Sequence, residues 1–249
     1  MCARVARNNA RAPVVDVPPP PTKGSAISSP TSTPTDTALA ELDRQIDAYV
    51  TLGYPQLAGL DEHAFRRQFA HLEEPLADAV AAGLDLEVRA HRVPFVAVVT
   101  DALINPAKRV PLLKAAGSAK AGILDRNYGD AGIAPYRPID GLDLPRATTY
   151  LLLDVDRGDE FLNVKPRDAL PVIASLGRTP LTIAEGLSFN AAYPDMLIKN
   201  HCFMLAGSHE GNKRVPAVWI SAGTPKLGWC FQGVEHTWLG VASAGSRVA

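Results

Sequence analysis

Cysteine is scarce in this sequence, with Cys2, Cys202 and Cys230 the only three in 249 residues. A secreted disulfide framework has a dense and usually even set of cysteines. The sequence therefore predicts reduced thiols and a soluble, cytoplasmic protein.

An excess of charge of one sign is also lacking, because 25 Lys and Arg residues nearly balance 26 Asp and Glu residues. Nucleic-acid-binding domains usually carry a basic excess, so no nucleic-acid partner is expected. Long apolar runs are missing as well. The longest in the folded part, residues 93–99, is far short of the roughly 20 residues that cross a bilayer. We expect no membrane association and interpret 93–99 as a buried strand.

Side chains that could be buried are few in residues 1–36. This segment contains four consecutive prolines at 18–21 and a run of Ser, Thr and Pro at 28–35. Ordering such a chain costs conformational entropy that core formation cannot offset. The sequence predicts a disordered tail at 1–36 and one α+β domain at 37–249, helical to about residue 92 and mixed α/β from about 93.

The first part of this domain has the apolar spacing of helices. The pattern predicts a helix at 37–52 with Asp36 as its N-cap, a second beginning after Asp61, and a third at 75–82. Further along, Thr179-Pro180 places a hydroxyl before a proline, which predicts another helix start.

Strand patterns dominate the rest. Residues 149–156 are almost continuously apolar, which is typical of a central strand covered on both faces. Shorter runs separated by glycines predict C-terminal strands at 201–206, 215–221, 226–231 and 237–242. The predicted fold class is α+β, with N-terminal helices, a mixed central part and a C-terminal antiparallel β-meander.

Two carboxylates follow the central strand. If the strand persists, Asp154 and Asp156 point to the same face, where they could hold Mg²⁺ or Mn²⁺ or act as an acid/base pair. An EF-hand loop is excluded because Asp159 and Lys165 occupy the positions that require Gly and Glu. The alternative is an exposed turn in which Arg157 offsets the charge.

A zinc site is a second hypothesis, because imidazole and thiolate ligands suit zinc. The candidate ligands are Cys202, His209, Cys230 and His236, although their spacing is not that of a zinc finger. Alternatively, the two cysteines are small buried hydrophobic residues, or one is a nucleophile beside a histidine. The sequence names no third residue to orient such a pair, and it contains no nucleophile elbow, P-loop or dinucleotide-binding glycine motif.

The three tryptophans, Trp219, Trp229 and Trp238, all lie in the C-terminal part. Aromatic side chains grouped on a sheet can form a ligand pocket or a partner surface, or simply a core. We favour a ligand- or partner-binding module that uses this aromatic sheet. The alternative is a metal-dependent enzyme or zinc protein that uses the Cys/His set or the Asp154/Asp156 pair, so enzymatic activity stays open.

Several segments have a familiar sequence, namely 149–158, 178–182 (Arg-Thr-Pro-Leu-Thr), 200–203 (Asn-His-Cys-Phe), 218–221 (Val-Trp-Ile-Ser), 225–230 (Pro-Lys-Leu-Gly-Trp-Cys) and 236–240 (His-Thr-Trp-Leu-Gly). Together they resemble an actinobacterial family of uncharacterised proteins, catalogued only as a domain of unknown function. The resemblance covers roughly residues 40–245 and implies an actinobacterial source and a single domain. It implies no activity, substrate, cofactor or catalytic residue.

Overall fold

Helices come first and strands later in the structure, a computed structural model that describes residues 32–249. The helices lie at Pro34–Thr51 (α1), Tyr54–Ala58 (α2), Glu62–Arg66 (α3), Glu73–Ala81 (α4), Pro106–Arg109 (α5), Pro166–Ser175 (α6) and Ile183–Ala192 (α7). The strands lie at Arg92–Val99 (β1), Ile123–Leu124 (β2), Arg137–Pro138 (β3), Thr149–Asp156 (β4), Thr179–Pro180 (β5), Cys202–Met204 (β6), Ser208–His209 (β7), Arg214–Ser221 (β8), Thr224–Phe231 (β9), Leu239–Val241 (β10), Ser243–Ala244 (β11) and Ser246–Val248 (β12). The predicted tail at 1–36 lies almost wholly outside the described residues.

Strand β4 is the centre of the first sheet. On one side it pairs antiparallel with β1, with Val96 opposite Leu152. On its other side it pairs antiparallel with β11 and β12, so that Arg247 is also opposite Leu152. Strand β5 adds to the edge by pairing with β11. The nearly unbroken apolar run of β4 is thus explained by a neighbour on each edge and cover on each face.

Both faces of this sheet are buried, against different parts of the chain. On one face, Phe95 and Leu151 join a core with the side chains of α1 to α4. On the other face, Val96 and Leu152 join a larger core with α6, α7 and the second sheet. Residues one apart along a strand therefore belong to different cores, as the two-residue repeat of a strand requires.

The alternation shifts once, at Asp154. Leu152 and Val155 are three residues apart, yet both belong to the same core. Asp154 has φ +55°, a left-handed conformation. Because of it, the side chains after Asp154 point to the opposite face from the one that strict alternation would give. Asp154 stands across from Pro94, which has no amide proton to contribute to the ladder.

The second sheet has the order β10-β6-β8-β9-β2. β8 and β9 form a hairpin whose turn residues, Ala222 and Gly223, both have positive φ, as a type I′ turn requires. The predicted antiparallel arrangement of the C-terminal strands is present in β6, β8 and β9. β10, however, pairs parallel with β6, after which the chain crosses to the first sheet as β11 and β12.

The helix starts show which local signals prevailed. α3 begins after Asp61, as predicted, and the side chain of Asp61 caps it. The N-cap of α1 is Thr33 rather than Asp36, and Asp36 instead completes a reciprocal capping box from inside the helix. Thr179-Pro180 is not a helix start: it forms β5, and α7 begins after Thr182 with its own capping box to Glu185.

The architecture is α+β, which confirms the predicted fold class. Residues 32–249 form one compact unit. None of the helices among these residues combines the length and the apolar composition that crossing a membrane requires.

Candidate functional site

The three tryptophans do not share one surface. Trp219 lies against Gly228, where a Cβ would collide with the indole, and its ring makes an edge contact with Trp238 at 6.2 Å between centroids. Trp229 follows Gly228 directly in β9 and therefore points to the opposite face. There it stacks with the guanidinium of Arg214 at 4.3 Å. A binding role for these side chains stays a prediction, now for two separate aromatic surfaces.

The two predicted zinc-ligand cysteines make other contacts. Cys202 Sγ lies 3.4 Å from the carbonyl oxygen of Ile198, and Cys230 Sγ lies 3.2 Å from Met204 Sδ. Burial raises the pKa of both thiols, that of Cys230 to about 12. Both are therefore protonated near neutral pH, whereas a nucleophile reacts as a thiolate.

The predicted histidine ligands are also apart from the cysteines. His209 lies in β7 and accepts a hydrogen bond from the amide of Gly211, while the ring of His236 lies 5.3 Å from that of Trp238. Burial lowers the pKa of His236. Within residues 32–249, no group of three or more His, Cys, Asp or Glu side chains is placed to hold a metal ion. The structure thus does not bring the proposed zinc ligands together.

Asp154 and Asp156 do come together, at a small surface cavity of about 480 Å³. Two arginines already pair with Asp154. Arg178 Nη1 lies 2.6 Å from Asp154 Oδ2, and Arg92 makes a bidentate contact with the same carboxylate. Burial acts to raise the pKa of Asp154, but Arg92 and Arg178 outweigh it and lower the pKa. This carboxylate is a structural ion-pair partner that holds the left-handed residue in place.

Asp156 has different partners. One carboxylate oxygen lies 3.1 Å from Nδ1 of His91, and the other accepts the amide proton of Gly158 at 2.7 Å. Each oxygen of this carboxylate thus has a partner within the protein. The arrangement suits closure of the turn after β4.

One His–Asp contact was not predicted from the sequence. His201 Nδ1 lies 2.9 Å from Asp159 Oδ2, and Arg157 binds both oxygens of the same carboxylate at 2.7 and 2.8 Å. Such a contact orients an imidazole, as in catalytic dyads. Within the described part of the chain, however, no hydroxyl or thiol hydrogen-bonds to His201. The 42-residue separation of the pair explains why sequence inspection missed it.

A much larger cavity, about 970 Å³, lies where β1 ends and β4 begins. We call it the loop cavity, since most of its wall comes from irregular segments. It is lined by residues within 100–107, 130–138, 144–148 and 182–184, together with Leu124, Tyr150 and Ser208. Most of these side chains are apolar, and the charged ones, Asp101, Asp130, Arg137 and Arg146, are two of each sign.

The first turn of α7 supplies part of the wall. Thr182 caps the helix by accepting the amide proton of Glu185 at 3.3 Å. Ser208 accepts the amide proton of Ile183 at 3.0 Å. Both hydroxyl side chains line the cavity, and their residues are only 4% and 5% exposed. Two buried hydroxyl groups thus lie at the first turn of α7, in a mostly apolar wall.

A buried charge network supports that wall from behind. Glu185 is fully buried, and its carboxylate accepts hydrogen bonds from Arg247 Nε at 2.5 Å and from the hydroxyl of Tyr150 at 2.6 Å. Its second oxygen accepts the amide proton of Thr182 at 2.7 Å. Burial raises the pKa of Tyr150, so its hydroxyl stays a donor. The network ties β4, α7 and β12 into one rigid support for the cavity.

Sequence reasoning missed the loop cavity. The Thr182-x-x-Glu185 capping box could have been recognised from its spacing. The segment 127–145 was interpreted as a loop, which agrees with its mostly irregular conformation. No sequence pattern predicts that this loop covers a cavity, because the wall combines residues that are about a hundred positions apart.

Comparisons with known proteins identify the family but no function. No curated protein and no solved structure matches the chain significantly. One family model matches residues 48–249, from the last turn of α1 through β12. The chain therefore belongs to DUF5701, a family of unknown function.

Proposed function

We propose that this domain is a binding module whose ligand is a small, mainly apolar molecule held in the loop cavity. The observation that carries the proposal is the size and lining of this cavity. Small-molecule sites are usually clefts of roughly 300–1,000 Å³, lined by apolar side chains with a few placed polar groups. A cavity of about 970 Å³ whose wall is largely apolar, with Thr182 and Ser208 at one place, fits this description.

Binding is favoured over catalysis by the state of the candidate reactive groups. The buried thiols of Cys202 and Cys230 have raised pKa values, and the carboxylate of Asp154 is neutralised by two arginines. The metal-enzyme alternative would need a ligand set that residues 32–249 do not assemble. We also propose a cytoplasmic location, because Cys202 and Cys230 are both free thiols.

The test is to fill the cavity. Ala184 lies in the first turn of α7 and lines the cavity, so Ala184→Phe should place a ring inside it without removing the Thr182 cap. Ala174→Phe is the matched control, since Ala174 is exposed on α6, away from the cavity. Both proteins and the wild type are screened against a library of small aromatic and aliphatic fragments by saturation-transfer NMR.

We expect fragments that bind the wild type and Ala174→Phe to lose their signal with Ala184→Phe. Fragments that bind all three proteins equally would show that the loop cavity is not the site. Thermal unfolding of the three proteins, measured in parallel, shows whether lost binding comes with lost folding.

A further inference from the structure

The polar part of the loop cavity is specialised for donating hydrogen bonds. Thr182 and Ser208 each use an oxygen lone pair to accept an amide proton of α7. Neither hydroxyl has an acceptor for its own proton among residues 32–249. Both residues are more than nine-tenths buried, and a buried donor without a partner costs about 1–3 kcal/mol. These two protons are therefore available to an acceptor inside the cavity.

The threonine hydroxyls elsewhere on the wall serve as an internal comparison. Thr100 donates to the carbonyl oxygens of Ala147 and Thr148, both at 3.0 Å. The hydroxyl of Thr148 donates to the side-chain oxygen of Gln68 at 3.0 Å. Their protons are used by the protein itself. Tyr136 differs: its hydroxyl also lies on this wall, is buried, and has no hydrogen-bond partner among the described residues, so it is a further donor available to a ligand.

The electrostatic setting of this place favours a negative acceptor. Thr182 lies at the N-terminal end of α7, a helix of ten residues, where the helix dipole is positive. The nearest buried anion, Glu185, is already neutralised by Arg247. The charged residues that line the rest of the cavity balance to zero. A carboxylate on the ligand would meet two hydroxyl protons and the positive helix end together.

We propose that the ligand of the loop cavity is an amphipathic carboxylic acid, with its carboxylate against the hydroxyls of Thr182 and Ser208 and its apolar body against apolar side chains of the wall such as Ile133 and Leu144. This inference rests on the proposed binding function and adds the chemical class of the ligand. No covalent step is involved.

The test uses three probes with one apolar body: 4-phenylbutyrate, 4-phenylbutan-1-ol and 4-phenylbutylamine. Their dissociation constants are measured on the full 249-residue chain by titration calorimetry. We expect the acid to bind about tenfold more tightly than the alcohol, as a charge-assisted hydrogen bond would give, and the amine to bind most weakly. An alcohol or amine that binds as tightly as the acid would overturn the inference while leaving cavity binding intact.

Variants locate the effect. Ser208→Ala should weaken acid binding about fivefold and leave alcohol binding unchanged, because one donor to the carboxylate is lost. Ser208→Thr keeps the hydroxyl and should restore acid binding. Ser175→Ala, at an exposed position of α6, is the matched control and should change neither. An acid affinity that Ser208→Ala does not alter contradicts the proposed contact.

The two proposals fail in different ways. If Ala184→Phe abolishes fragment binding but 4-phenylbutyrate does not bind, the carboxylic-acid inference is refuted and the cavity remains a binding site. Absence of any binding that Ala184→Phe abolishes would refute the proposed function itself. Ser208→Ala also removes the acceptor of the Ile183 amide at the start of α7. Thr182→Ser preserves both the cap and the hydroxyl, and it keeps the contact testable if Ser208→Ala loosens the helix.

Discussion

Arg247 and Glu185 form an ion pair in which the side chains are only 4% and 0% exposed. Taking two charges out of water is costly, and their attraction offsets that cost only when the remaining hydrogen bonds are also satisfied. Here Thr179, Tyr150 and the amide of Thr182 satisfy them. Removing one member of the pair should therefore destabilise the fold more than removing both.

At this scale we predict that Arg247→Met lowers the free energy of unfolding by about 3–5 kcal/mol, because it leaves a buried carboxylate without its cation. Arg66→Met is the control: Arg66 pairs with exposed carboxylates, for which a loss of about 0–1 kcal/mol is expected. Urea denaturation measures both. Adding Glu185→Gln to Arg247→Met should recover part of the loss, and equal losses in the two single variants would contradict a buried pair.

Elements of the fold begin where side chains satisfy the first backbone amides. Thr33 caps α1 through its hydroxyl, which accepts the amide proton of Asp36 at 3.1 Å, and Asp36 in turn accepts the amide proton of Thr33 at 3.0 Å. The cap lies before residue 48, where the match to the family begins. The helix start is thus specified by residues outside the matched region.

We predict that Thr33→Ala destabilises the domain by about 1 kcal/mol, the usual cost of losing a hydroxyl cap. Thr33→Asn should be nearly neutral because asparagine caps equally well. Thr51→Ala, at the exposed far end of α1, is the control for the same substitution without a cap. The check is chemical denaturation of the three variants; no difference between Thr33→Ala and Thr51→Ala would refute the cap.

Helices and strands could be predicted where neighbouring residues in the sequence determine them, and not where distant residues do. The strand at 149–156 was predicted correctly because its apolar run needs no knowledge of its neighbours. Thr179-Pro180 was assigned to the wrong element because the competing signal is tertiary: Pro180 pairs with Ser243, and its carbonyl oxygen accepts from Arg247. The parallel pairing of β10 has the same origin, since nothing within 237–242 specifies its partner.

The candidate site was harder to predict from the sequence than the fold. Asp154 and Asp156 border one small cavity, but Arg92, which neutralises Asp154, is 62 residues away in sequence. The loop cavity depends on Thr100, Ile133 and Ser208 coming together in space. Periodicity reports which face of an element is buried, and it carries no information about a space enclosed by loops.

For the whole molecule, all six tyrosines have a raised pKa, and burial is the main cause in each. A tyrosine in the unfolded chain has a pKa of about 10. Because the folded pKa lies above the unfolded one, the stabilisation is fully present below about pH 10 and is lost as pH rises beyond it. The six contributions act in the same direction.

We therefore predict that the melting temperature falls gently above about pH 8.5, where the raised thiol pKa values of Cys202 and Cys230 begin to count, and steeply above about pH 10. Phenolate absorbance, recorded during the same alkaline titration, should appear together with the loss of near-ultraviolet circular dichroism. Tyrosines that ionise near pH 10 while the dichroism is retained would show that they are not buried as described.

The path of the chain from β10 into β11 and β12 has a consequence during synthesis. Arg247 is made 62 residues after Glu185. At roughly 5–20 residues per second, the ribosome adds Arg247 about 3–12 s after Glu185. Throughout this interval the carboxylate has no cation to accompany it into the interior, so α7 cannot settle on β4 in its final form. Translation of the last strand thus sets the earliest moment at which the wall of the loop cavity exists.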